Sequence, residues 1–125
     1  MPTFGDVRRI SLGLPETNEI LTWGTDATFR VGARIFAISG EGADRVSIKA
    51  TLAAQAELID LDPLIFGRAA YVGRFGWITV DLARVDPEIL AGLLVAGWRL
   101  PAPKRLAATR PSPPVRANRS PINDE

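Results

Sequence analysis

Residues 27–39 read Ala27-Thr-Phe-Arg-Val-Gly-Ala-Arg-Ile-Phe-Ala-Ile-Ser39, and this stretch decides the fold. Phe29 and Val31 fall on one face of an extended segment and Thr28 and Arg30 on the other, because side chains alternate along a strand. Gly32-Ala33 fits a two-residue hairpin turn, since glycine at the first central position suits type II′ geometry. Arg34–Ser39 then returns as a second strand, and its Ile35-Phe36-Ala37-Ile38 run is apolar on both faces. That pattern suits a central strand covered on both sides, or one shielded in part by a partner.

Upstream of this hairpin, Glu19–Trp23 reads as another short strand. Before it, Phe4, Val7, Ile10 and Leu14 recur at helical spacing and share one face. Thr3 can cap that helix, with Asp6 in its first turn where a negative charge suits the helix dipole, and Gly13 and Pro15 end it. Arg8 and Arg9 fall on the opposite, solvated side.

Downstream, Gly40–Asp44 reads as a loop, and Val46, Ile48 and Ala50 alternate with Ser47 and Lys49 in a strand with one wet face. Thr51 caps a helix running to about Asp60, with Leu52, Gln55/Ala56 and Ile59 at helical spacing. Asp62-Pro63 has the form of a cap and first residue of a further short turn. Trp77–Leu82 is the last strand, with Ile78, Val80 and Leu82 inward. Asp86-Pro87 starts a final helix whose core face is Leu90, Leu93, Leu94 and Gly97, and Pro101 stops it. The order α-β-β-β-β-α-β-α predicts a two-layer α+β domain: an antiparallel sheet of about five strands with helices on one face and the other face partly exposed.

With 125 residues, 46% hydrophobic and 23% charged, the chain has the size and composition of one globular domain. Composition shifts after residue 100, because six of the ten prolines lie in 101–125 and large aliphatics become sparse. We therefore expect a domain over 1–106 and a disordered Pro/Arg-rich tail over 107–125. No apolar run approaches the length of a bilayer span, and the N-terminus lacks the pattern of a signal peptide. A cytoplasmic protein without membrane contact is the simplest expectation.

There is no cysteine and no histidine. Disulfides and thiolate chemistry are excluded, and zinc would have only carboxylates to hold it. The usual general base near neutral pH is missing too, so Ser11, Ser39 and Ser47 have no partner for acyl transfer. Asp60 with Asp62 and Asp86 with Glu88 are paired carboxylates, but helix ends and caps explain both. A non-enzymatic protein without a cofactor is the expectation.

The net charge of +1 is unevenly spread: residues 1–100 hold ten Lys/Arg against twelve Asp/Glu, and residues 101–125 hold five against two. Nucleic-acid contact would thus need cations concentrated on one patch or in the tail. Gly73-Arg-Phe-Gly76 can be read as a phosphate cradle or as a tight loop before the strand at Trp77.

Several segments occur in an order that resembles the MmcQ/YjbR family of small bacterial proteins. They are Leu14-Pro-Glu16, Trp23-Gly24, Phe29-Arg-Val31, Arg34-Ile-Phe-Ala37, Lys49, Tyr71-Val-Gly-Arg-Phe-Gly-Trp77, Val85-Asp-Pro-Glu-Ile-Leu90 and Ala96–Leu106. The resemblance implies a CyaY-like α+β fold, and its members are usually described, by inference, as DNA-binding proteins. Carried over residue by residue, it points to Arg30 and Arg34 on the hairpin, Lys49 on the wet strand face, Arg74 near Trp77, and Lys104 and Arg105 after the last helix. Arginine and lysine pair with phosphate oxygens, and Trp77 can stack on an unpaired base or pack in the core. The partner implied is DNA, with the protein a monomer or weak homodimer. The alternative is a protein-interaction or small-ligand module that uses the exposed sheet face.

Overall fold

The computed structural model describes residues 2–22 and 26–101. Trp23, Gly24, Lys104, Arg105 and the tail expected over 107–125 lie outside the described residues. The described chain runs α1 (Phe4–Leu12), β1 (Thr17–Thr22), β2 (Asp26–Val31), β3 (Arg34–Gly40), β4 (Arg45–Ile48), α2 (Leu52–Leu61), β5 (Phe66–Arg68), a 3₁₀ turn (Val72–Phe75), β6 (Ile78–Asp81) and α3 (Pro87–Arg99). The strands form one antiparallel sheet in the order β1-β2-β3-β4-β6-β5. The α+β class stands as expected, with six strands where about five were predicted.

The extra strand is β5, which follows the short turn expected at Asp62-Pro63. Asp62 closes α2 and also caps that turn: its Oδ1 accepts the Leu64 N–H and its carbonyl those of Ile65 and Phe66, after which the chain enters Phe66–Arg68 beside β6. Three residues are too few for alternation to be visible in the sequence.

The central hairpin forms as read. Val31 faces Arg34 across Gly32-Ala33, and Gly32 takes φ +62, a backbone conformation that glycine adopts without strain. The register shifts between Phe29 and Arg30, because Phe29 pairs with Ala37 and Arg30 with Ile35. Phe36 is thus one extra residue, and the bulge lets Phe36 and Ala37 both be fully buried. This explains an apolar run that strict alternation would have driven to both faces.

One side of the sheet carries Ala27, Phe29, Val31, Val46, Ile48, Ile78 and Val80, which join α1 and α3 in a single core with Phe4, Val7, Ile10, Leu90, Leu94 and Trp98. Trp98 is fully buried, and its Nε1–H donates to the Pro15 carbonyl at 3.0 Å. Burying a ring of that size with its one donor satisfied is among the larger single contributions to such a core. Thr51 and Asp86 cap α2 and α3 as expected, accepting N–H groups of Ala54 and of Glu88 and Ile89.

The helix α2 differs from its reading in part. Gln55 and Ile59 face the domain as expected and Leu58 joins them, but Leu52 and Ala56 are exposed. The reason is polar: Gln55 is placed to serve backbone carbonyls beyond the helix, as described next.

A cationic end of the sheet

The face of the sheet away from the helices can be followed row by row from the register. The middle row is Ile20, Thr28, Ile38, Ser47, Thr79 and Gly67. One row toward the β2–β3 turn come Asn18, Arg30 and Ile35. Continuing the alternation one step past the paired ends of β4 and β6 adds Lys49 and Trp77 to that row. The side chains agree: Arg30 Nε donates to Thr28 Oγ1 at 2.9 Å, and Lys49 Nζ lies 5.7 Å from the centroid of the Trp77 ring. Strands lie about 4.8 Å apart, so Arg30 and Lys49, two strands apart, are separated by about 10 Å at the backbone.

The opposite row holds the carboxylates. Asp26 faces Gly40, and Arg45 faces Asp81. Antiparallel topology extends this division to the whole domain. The end that carries the β2–β3 turn also receives the end of β4, the end of β5 and the start of β6, and with them Arg34, Lys49, Arg68 and Arg74. The other end receives the β3–β4 loop with Glu41 and Asp44, and the start of α3 with Asp86 and Glu88. A domain whose total charge is nearly balanced is thus polarised along its strands.

Ion pairs do not undo the polarity. Among the described residues they join Arg8 to Glu19, Arg9 to Asp6 and Arg84 to Asp81, and none engages Arg30, Arg34, Lys49 or Arg74. The Arg8–Glu19 pair is two-pronged, at 2.9 and 2.8 Å, and it holds the Arg8 pKa above its ordinary value, chiefly through the hydrogen bond to Glu19. Arg8 also covers the Phe4 ring, 4.7 Å from its centroid, so it serves the junction of α1 with β1.

The segment between β5 and β6 completes this end. Gly76 adopts φ +106 with its α-carbon against the start of α2; a Cβ there would stand 2.3 Å from the Ala50 carbonyl oxygen. This favours the tight-loop reading of Gly73–Gly76. The cradle reading meets an obstacle, because Gly73 is buried and the stem of Arg68 fills the space over it, 2.4 Å from where a Cβ would be.

The structure therefore brings Arg30, Lys49 and Trp77 into one row, with Arg34 and Arg74 at the same end. Trp77 is only 7% exposed, so its ring chiefly supports the Lys49 ammonium. The sequence reading missed Tyr71 and Phe75, which are 96% and 59% exposed at this same end. Both lie in the Tyr71–Trp77 segment, where the glycines announce a loop but nothing tells which of its aromatic rings faces water.

These features define a small α+β domain with one open, cation-edged sheet face. The chain belongs to the YjbR family, whose family model matches residues 12–100. Its fold is similar to the solved structure of Deinococcus radiodurans protein DR2400, described by the family-model domain DUF419. The two share 27% sequence identity over 80% of this chain and 78% of that one, with a TM-score of 0.72. No curated protein matches the chain significantly. No helix among the described residues is long and apolar enough to cross a membrane.

Proposed function

We propose that this YjbR-family domain is a non-enzymatic cytoplasmic module that binds nucleic acid through its phosphates, using Arg30, Arg34, Lys49 and Arg74. The observation that carries this reading is the gathering of these four side chains at one end of the sheet, with no ion pair to a carboxylate among the described residues, in a domain that is not basic overall. Unpaired cations on one surface attract a polyanion and release its counterions. Nothing in that arrangement reads base edges, so binding is weak and insensitive to sequence.

Fluorescence anisotropy with labelled duplex and single-stranded oligonucleotides at 50 and 200 mM salt tests the reading. Four phosphate contacts give a slope of log affinity on log salt of roughly −4 for duplex, about a hundredfold loss between those concentrations. Absence of binding to either form at the lower salt, or affinity indifferent to salt, would sink it.

A second reading rests on the middle row of the open face. Ile20 is exposed, and Ile35 and Ile38 are half-buried there, beside Thr28, Ser47 and Thr79. Such a mixed apolar strip suits a protein partner, and Ile38→Lys would abolish partner binding while leaving salt-dependent oligonucleotide binding intact.

A further inference from the structure

The chain between β5 and β6 contains a γ-turn of the strained hand. The Val72 N–H donates to the Ala70 carbonyl at 2.6 Å, and Tyr71 between them has φ 63 and ψ −58. That hand is rare, and a residue with a Cβ adopts it only where the surroundings impose it. Here the surroundings do. Gln55 Nε2 donates to the carbonyls of Gly73 and Trp77, both at 2.8 Å, and Gly76 packs against the first turn of α2.

The consequence is the outward placement of two aromatic rings. Tyr71 is almost wholly in water, and Phe75, at the end of the following 3₁₀ turn, is more than half exposed with the Arg74 guanidinium 4.8 Å from its centroid. Leaving two such rings in water forgoes the favourable burial that most of this protein's large side chains obtain. Their setting narrows the partner. Arg68, Arg74 and Lys49 stand on the same end of the domain, and no ion pair among the described residues engages them. A flat ring in a cationic setting suits the exposed faces of unpaired bases, whereas a duplex keeps those faces stacked inside and offers mainly phosphates to such a surface.

We propose that residues 69–76 form a stacking platform for unpaired bases, so that the preferred ligand is a single-stranded polynucleotide, with Tyr71 and Phe75 as the stacking residues. This rests on the phosphate-binding reading above and adds the class of polynucleotide to it.

The full chain is titrated at 50 mM salt with labelled oligo(dT), oligo(rU), an abasic oligomer of equal length and a duplex. Oligo(dT) or oligo(rU) should bind about tenfold or more tightly than the abasic oligomer and than the duplex. Tyr71→Leu and Phe75→Leu should each weaken single-strand binding by about tenfold while leaving duplex binding unchanged, and Tyr71→Phe should retain it. Equal or tighter binding of duplex, or leucine variants that bind single strands like the parent, would overturn the platform even if salt-dependent binding remained. Failure of every oligomer to bind would remove both readings together.

Discussion

The side-chain amide of Gln55 donates to the backbone carbonyl of Trp77 at 2.8 Å, joining α2 to the entrance of β6. The same nitrogen donates to the Gly73 carbonyl, also at 2.8 Å, so one buried amide ties both ends of the 3₁₀ turn to the helix. Gln55→Leu would fill the volume but take one of two donors from each carbonyl, leaving Gly73 O with the Gly76 N–H and Trp77 O with the Ala69 N–H. Each of the two lost hydrogen bonds is worth about 0.5–1.5 kcal/mol net, so we expect a loss of about 2 kcal/mol in urea unfolding. Amide hydrogen exchange should rise over residues 69–77 and remain unchanged in β2 and β3. A loss well under 1 kcal/mol would mean that these carbonyls do not depend on the amide.

Gln55 also marks where sequence reading stops. The helices and the central hairpin were legible because their signals are local: Thr51 and Asp86 as caps, Gly32 in the turn, period-two alternation in β2. Strand alternation likewise put Arg30 and Lys49 on wet faces. What was not legible depends on contacts between distant segments. Gln55 looked like part of an apolar stripe because its acceptors lie 18 and 22 residues away. The bulge at Phe36 is a compromise of pairing and burial that no short pattern announces. Tyr71 was hidden for the same reason, since its exposure follows from a turn held in place by Gln55 and Gly76.

Gly97 sets two effects against each other. Alanine in place of a glycine inside a helix gains about 1 kcal/mol of propensity. A Cβ at Gly97, however, would stand 2.8 Å from Ile48 Cγ2 and 2.9 Å from the Lys49 carbonyl oxygen, and a backbone oxygen cannot swing aside. Overpacking of this kind costs about 1–3 kcal/mol. Gly97→Ala should therefore lower stability by about 1–2 kcal/mol. A midpoint at or above that of the parent in thermal unfolding would show that α3 can lift off β4 freely.

Ser11 is fully buried in α1, and its hydroxyl has no hydrogen-bond partner among the described residues. An unsatisfied buried hydroxyl costs about 1–3 kcal/mol, and alanine is also the better helix former. Ser11→Ala should raise stability by about 1 kcal/mol, measured by chemical denaturation. An unchanged or lower value would mean that the hydroxyl is satisfied in solution.

Asp6 gives the first helix a pH-dependent fastening. Its carboxylate accepts the Thr3 N–H at 2.8 Å and an Arg9 N–H at 3.0 Å, and these contacts, the backbone one first, lower its pKa from the ordinary 3.8. A carboxyl whose folded pKa is depressed stabilises the fold above its unfolded pKa, and that contribution fades as pH falls through the folded value. Asp6→Asn should cost about 0.5 kcal/mol at pH 7, in keeping with a solvent-exposed charge at a helix start. The gap between variant and parent should narrow below pH 4 as the carboxylate is protonated. A difference constant from pH 7 to pH 2 would assign the effect to shape rather than charge.

Tyr71 offers the sharpest test of whether the strained turn serves binding. Its φ of 63 and ψ of −58 cost a residue with a side chain about 1–3 kcal/mol, a cost that glycine escapes. Glycine brings its own penalty of roughly 0.5–1 kcal/mol from the greater freedom of the unfolded chain. Because the ring makes almost no contact with the domain, little packing is lost to offset the gain. Tyr71→Gly should thus stabilise the fold by about 1 kcal/mol in urea unfolding. The same variant should weaken single-strand binding as Tyr71→Leu does, because both lack the ring. Gain of stability with loss of binding would show that the turn keeps a strained tyrosine for its exposed ring. A destabilised variant would mean that the ring packs in solution, and a stabilised one with full affinity would leave the strain without a role.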